Sequence, residues 1–117
     1  MEPVFINYSN HPSSLWEKDQ LEEAGRMGRV EDMPFPNVDP ALSEEEVHAL
    51  GDRDIEKILA KSPAAVMCQG EFTLCLYVVE QLKQRGVMVV AACSAREAVI
   101  DGDKKISRFR FVRFRRY

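Results

Sequence analysis

The sequence predicts an α/β fold: a mostly parallel sheet with helices on both faces and an antiparallel hairpin at the C-terminal end. Three observations carry that reading. Short apolar runs without polar alternation, such as Ala64-Ala65-Val66-Met67-Cys68 and Val87-Met88-Val89-Val90-Ala91-Ala92-Cys93, read as strands buried on both sides. Segments of helical spacing lie between such runs, in the order β-α-β-α-β-α-β. Finally, Asp101-Gly102-Asp103-Lys104 separates two strand-like segments, Glu97 to Ile100 and Ile106 to Phe114, as a hairpin turn does.

The elements follow in order. Pro3 to Tyr8 forms the first strand, and Ser9 to Ser14 a polar turn. Ser13 or Ser14 can cap the next helix, and Ser14 with Glu17 has capping-box spacing. That helix carries Trp16, Leu21 and Ala24 and ends at Gly25 or Gly28. Val30 to Met33 is a more polar strand nearer a sheet edge, and the prolines from Pro34 to Pro40 make a stiff loop. Ser43 with Glu46 is a second capping box, opening a helix whose apolar side is Val47, Leu50, Ile55, Ile58 and Leu59. After the Ala64–Cys68 strand, Gln69-Gly70-Glu71 turns the chain into a helix with Phe72, Cys75, Leu76, Val79 and Leu82 at helical spacing, closed by Gly86. In the terminal run the alternation of arginine and phenylalanine slips phase at Val112, which predicts a bulge.

Length and composition bound the function. The 117 residues suit one domain, spanning 1–117. No apolar stretch approaches the roughly 18 residues of a membrane span, and MEPVFIN lacks the basic and apolar regions of a signal peptide. The three cysteines sit in apolar strands or helices, which suggests packed, reduced thiols and a cytoplasmic address. Their spacing with His11 and His48 matches no zinc pattern, so no metal and no cofactor are expected. Neither a Walker-A nor a GxGxxG sequence is present.

Four loops are expected at the carboxyl ends of the parallel strands, where helix N-termini favour anions: Ser9 to Ser14, Pro34 to Val38, Gln69 to Thr73 and Ser94 to Arg96. They bring Ser9, Asn10, His11, Gln69, Gly70, Glu71, Thr73, Ser94 and Arg96 to one face, a set suited to a phosphate or a polar, nucleotide-like ligand. Plainer readings stand beside this one. Glu71 at a helix start, Gly70 in a turn and the serines as caps each have a structural role. His11 is the histidine placed for acid–base work. His48 reads as a solvated surface residue, Cys93 as a packed thiol, and Trp16 as core in preference to a base-stacking platform.

Charge is unevenly distributed. Residues 1–103 hold nine Lys and Arg against nineteen Asp and Glu, a balance of −10, whereas residues 104–117 hold seven basic residues and no acid. Arg108, Arg110, Arg113 and Arg115, interleaved with aromatics, suit single-stranded RNA. The same pattern suits a charge-protected edge strand that pairs with acidic helices, in the same chain or a second copy, and that structural reading is preferred.

On these residues the chain resembles a known family. Phe5-Ile6-Asn7-Tyr8-Ser9-Asn10-His11-Pro12, Pro34-Phe35-Pro36, Gln69-Gly70-Glu71-Phe72-Thr73 and Ala92-Cys93-Ser94-Ala95-Arg96 make it similar to the small stand-alone CARF-like accessory proteins of type III CRISPR systems. The resemblance implies a Rossmann-like homodimer that binds cyclic oligoadenylate and, as a ring nuclease, cleaves it without metal to regulate antiviral signalling. It would give Ser9, Asn10, Gln69 and Ser94 phosphate and ribose contacts, Arg96 charge stabilisation and His11 general acid or base work. Two alternatives stay open: a protein that sequesters the nucleotide without turnover, and an RNA-binding or interaction module using the arginine-rich strand.

Overall fold

Why two strands of this chain contain no polar alternation becomes plain once their faces are assigned. In the computed structural model, which describes residues 2–117, β1 (Val4–Ser9) and β3 (Ala65–Cys68) lie side by side in a five-stranded sheet. Ile6, Tyr8, Val66 and Cys68 point into one core, with α2 (Glu44–Ala60) and α3 (Phe72–Gln84). Phe5, Ala65 and Met67 point into the other, with Trp16 and Ala24 of the α1 (Lys18–Met27) side. Successive strand residues thus serve two separate cores.

The strand order is β2-β1-β3-β4-β5, where β2 is Arg29–Pro34, β4 Val89–Asp101 and β5 Lys104–Arg116. The first four strands run parallel and β5 pairs antiparallel with β4. The polar β2 occupies an edge, as its composition predicts. Gly102 has φ 64°, the positive value that a two-residue primed turn requires of its first residue. The phase slip is also real: Cys93 faces Arg113 and Ser94 faces Phe111, so Val112 is the extra residue of a bulge.

Three expectations are corrected. Ser14 and Glu17 form no capping box; a 3-10 turn spans Ser13–Leu15 and α1 starts at Lys18 with no side-chain cap. The reason is long-range: Ser13 gives its N–H and hydroxyl to the Asp32 carboxylate of β2. Phe72 and Leu76 are not on the buried face of α3, being 89% and 61% exposed; Leu74, Cys75, Val78, Val79 and Leu82 are. Ser94-Ala95-Arg96 is not a loop, because β4 continues through it to Asp101 in an unbroken pairing with β5. The Ser43–Glu46 box, by contrast, is formed in both directions, and three glutamates occupy the first turn of α2.

One buried polar contact ties the sheet to α2. The Tyr8 hydroxyl donates to the Asp54 carboxylate at 2.6 Å, and both residues are buried. Burial first, and the adjacent Asp54 second, push the Tyr8 phenol well above its ordinary value, so it stays a donor. Tyr8→Phe leaves a buried carboxylate whose remaining partner among the described residues is Arg53 at 3.7 Å. It is expected to lower the unfolding free energy by about 2 kcal/mol in urea titration. An unchanged midpoint would show that Asp54 recovers its solvation elsewhere.

Candidate functional site

The site follows from where the connections leave the sheet. After β1 the chain crosses to the α1 side; after β3 it crosses to the α3 side. Neighbouring parallel strands whose connections diverge leave a crevice between their carboxyl ends, where ligands of open α/β sheets sit. A pocket of about 560 Å³ lies there.

On its β1 side the pocket is lined by Ser9, Asn10 and His11. Their loop is held from behind by a buried amide that the sequence reading passed over. Asn7 Nδ2 donates to the His11 carbonyl and to Asp32 Oδ1, both at 2.9 Å. The Ser9 hydroxyl donates to Asn7 Oδ1 at 2.6 Å and accepts the His11 N–H at 3.2 Å. Ser9 therefore spends its hydrogen bonds on loop shape, and Asn10 and the exposed His11 ring are the groups presented outward. Trp16 belongs to the same brace: its indole donates to the His11 carbonyl at 3.0 Å while its ring packs edge-on to Phe5. It is core, as preferred.

On the β3 side, Gln69 Oε1 accepts the Ala92 N–H at 2.6 Å, extending the ladder between β3 and β4 through a side chain. Its Nε2 has no hydrogen-bond partner among the described residues, and Gln69 lines the pocket. Gly70 is required by close approach. A Cβ there would stand 2.5 Å from the Phe35 ring, which is buried against Tyr8 with centroids 4.9 Å apart. The proline-rich loop thus plugs the α2–α3 core with Phe35 and does not contribute to the pocket.

Ser94 reaches the pocket from β4, and Phe109 and Phe111 wall it from β5. In the sequence these aromatics stand within a charged run, and their place in the pocket wall follows from the pairing of β5 with β4. Arg96 is placed next to this wall, paired with Phe109 across the strands, but its guanidinium donates to Ser107 Oγ at 3.0 Å and lies outside the lining. Among the described residues no Lys or Arg lines the pocket, and its titratable side chains are His11 and Glu17.

Glu71 and Thr73 are not brought to this site. Glu71 caps α3, accepting the Thr73 N–H at 2.6 Å and the Leu74 N–H at 3.4 Å, and both residues line a separate groove on the α2–α3 side. The Thr73 hydroxyl, then the backbone donors, lower the Glu71 carboxyl below its ordinary 4.5. His48 likewise differs from a solvated residue: it stacks on Tyr77 at 4.1 Å, half-buried.

Beneath Gly70 the chain ends in a polar contact. The Tyr117 hydroxyl donates to the Cys68 carbonyl at 2.6 Å and lies 3.8 Å from Cys75 Sγ. Cys68 and Cys75 are in sulfur contact at 3.6 Å. The hydrogen bond shared by the two thiols lowers Cys75 to about 7, while Cys68 is pushed up. Cys93 is half-buried, and among the described residues no cluster of three or more potential metal ligands occurs.

The fold and the pocket define an α/β domain with a polar, aromatic-walled crevice at the divergence of its two central strands. A family model, described as that of the Uncharacterized protein MJ1673 family, matches residues 3–115, and the chain belongs to that family. No curated protein and no solved structure matches the chain.

Two outcomes test this geometry. Gly70→Ala must displace the Phe35 ring, and the overpacking is expected to cost about 1–3 kcal/mol in urea unfolding; Phe35→Leu in the same background should recover part of it. Glu71, whose folded pKa lies below its unfolded one, contributes stability that is complete above pH 4.5 and is lost as the pH falls through the folded value. Glu71→Gln should therefore flatten the acid limb of a thermal-melt series below pH 4.5.

Proposed function

We propose that the chain binds a cyclic oligoadenylate in the crevice between β1 and β3 and opens its ring, as a CARF-like, Rossmann-like accessory protein of a type III CRISPR system. The observation that carries the reading is the meeting, in one pocket at the divergence of the sheet, of amide and imidazole groups with two phenylalanines. Asn10, the free Nε2 of Gln69 and Ser94 supply hydrogen bonds for ribose and phosphate, and the exposed Phe109 ring, with buried Phe111 behind it, supplies a face for an adenine. Two copies related by a two-fold axis would offer a symmetric ring the same contacts twice.

Cleavage in this reading is a transesterification. The ribose 2′-oxygen attacks the adjacent phosphorus, the bond from phosphorus to the 5′-oxygen breaks, and the products carry a 2′,3′-cyclic phosphate and a 5′-hydroxyl. His11 takes the proton from the 2′-hydroxyl or returns one to the 5′-oxygen, with Glu17 the other titratable group in reach of the pocket. Positioning supplies most of the acceleration. Arg96 would turn from Ser107 to meet the phosphorane charge.

A second reading is favoured by one observation: Arg96 is engaged by Ser107, and among the described residues no Lys or Arg lines the pocket. A site that binds without stabilising the transition-state charge sequesters its ligand and does not turn it over.

Labelled cyclic tri-, tetra- and hexa-adenylate, incubated with excess protein with and without EDTA and followed by gel shift and product chromatography, separate the readings. Linear products that persist in EDTA are expected, and His11→Ala is expected to bind but not cleave. A shift without products leaves sequestration. Neither shift nor products for any ring would overturn the cyclic-nucleotide assignment.

A further inference from the structure

The β4–β5 ribbon leaves the body of the protein. From Ala98 to Arg110 every residue is exposed. The radius of gyration, 15.7 Å, exceeds the roughly 13 Å of a compact chain of this length. A two-stranded ribbon alone is marginally stable in water. This one also exposes Ile100 at 79%, Phe109 at 66%, Val112 at 53% and Ile106 at 45%.

Residues opposite each other in the ribbon share a face. Phe109 stands over Arg96 on the face that continues into the pocket wall. The other face carries the pairs Ile106 with Val99, Arg108 with Glu97 and Lys104 with Asp101. It is apolar at its centre and carries Lys104, Arg108 and Arg110 against Glu97 and Asp101, with Arg110 ion-paired to Glu97 at 2.8 Å, which leaves Lys104 and Arg108 as the basic groups offered outward.

A complementary surface lies elsewhere on the same chain. The groove between α2, α3 and the loop before α2 measures about 870 Å³. Asp39, Glu44, Glu71 and Glu80 line it, with Leu42 and Leu76 as apolar floor and no Lys or Arg. Phe72, one helical turn from Leu76 at i, i+4, stands beside it, 89% exposed. No residue of the chain's own ribbon lines this groove.

We propose that the ribbon of one copy docks in the acidic groove of a second copy, reciprocally, so that two copies exchange arms across the carboxyl edges of their sheets. Both surfaces reach that edge: the groove runs along α3 from Glu71 and Thr73 at its start to Glu80 and Gln81, and the arm continues β4 beyond the edge. Each copy carries both halves of the contact, which is the requirement of a closed two-fold interface. The apolar pair Ile106 and Val99 meets Leu76 and Phe72, and Arg108 and Lys104 meet Glu44 and Glu80. This inference does not depend on what the pocket between β1 and β3 binds.

A charge exchange tests it by sedimentation velocity on the full chain. Lys104→Glu with Arg108→Glu makes an arm variant. Glu44→Lys with Glu80→Lys makes a groove variant; neither glutamate makes a side-chain hydrogen bond or ion pair among the described residues. The wild type is expected to dimerise, with a dissociation constant that rises with salt, and each variant to weaken the dimer at least about tenfold. Mixing the two variants is expected to restore a dimer, since every arm then faces a groove of opposite charge. Circular dichroism confirms that each variant is folded, and the salt dependence of the wild type stands as a test if one is not. A wild type that stays monomeric at about 100 µM, a dimer indifferent to both variants and to salt, or folded variants that fail to pair when mixed would each overturn the proposal. So would a monomeric wild type that binds polyuridylate through the arm, for then the arginines serve a nucleic acid.

Discussion

The arrangement depends on the burial of β1 and β3 from both sides. Each consecutive residue from Phe5 to Ser9 is buried, and so is each from Ala65 to Cys68. A strand so placed can leave the sheet only at its ends, and its side chains commit alternately to two cores. Ile6 and Tyr8 pack with the α2–α3 core while Phe5 packs with Trp16 and Phe114. Asn7, facing the second core, is polar in an apolar strand, and that exception builds the site. Its amide reaches the His11 carbonyl and Asp32, fixing the loop that carries Asn10 and His11. An unpaired amide at this depth would cost free energy comparable to a lost hydrogen bond, so the brace and the strand stabilise each other.

Much of this was legible in the residues because the signals were local. The apolar runs gave the central strands, the Ser43 and Glu46 pair gave the start of α2, and Asp101-Gly102 gave the hairpin turn. The slip at Val112 was visible as a lost alternation and is a bulge. What was not legible was decided at a distance. Ser14 and Glu17 have the spacing of a box, but Asp32, on a strand 19 residues beyond Ser13, binds the neighbouring Ser13, and the chain there makes a 3-10 turn before α1 starts at Lys18. Phe72 and Leu76 obey helical spacing as well as Leu74 and Val78 do. Only the docking of α3 on the sheet shows which stripe is covered.

The candidate site was half legible for the same reason. Loops after β1 and β3 follow from strand order, so Ser9, Asn10, His11, Gln69 and Gly70 were placed together and are together. Glu71 and Thr73, one and three residues beyond Gly70, fall on the other side of the sheet because α3 leaves that way. Ser94 and Arg96 sit in a strand, because the β4 backbone pairs on with β5, Ser94 opposite Phe111 and Arg96 opposite Phe109, and does not turn. Phe109 and Phe111 reach the pocket only through that pairing, which no short window of sequence displays.

The ribbon joins the two surfaces through one backbone. Because opposite residues share a face, Phe109 and Phe111 look toward the pocket while Ile106, Val99 and Arg108 look away from it. Phe111 is 4% exposed and rests on Phe114 at 5.0 Å, so the base of the ribbon is anchored in the α1-side core. Phe109, two residues further out, has no such anchor. A contact that orders the outward face of the ribbon therefore also sets the position of the Phe109 ring over the pocket. Coupling of this kind needs no displacement of the sheet. It needs only that a two-stranded ribbon, marginal by itself, be held on one side.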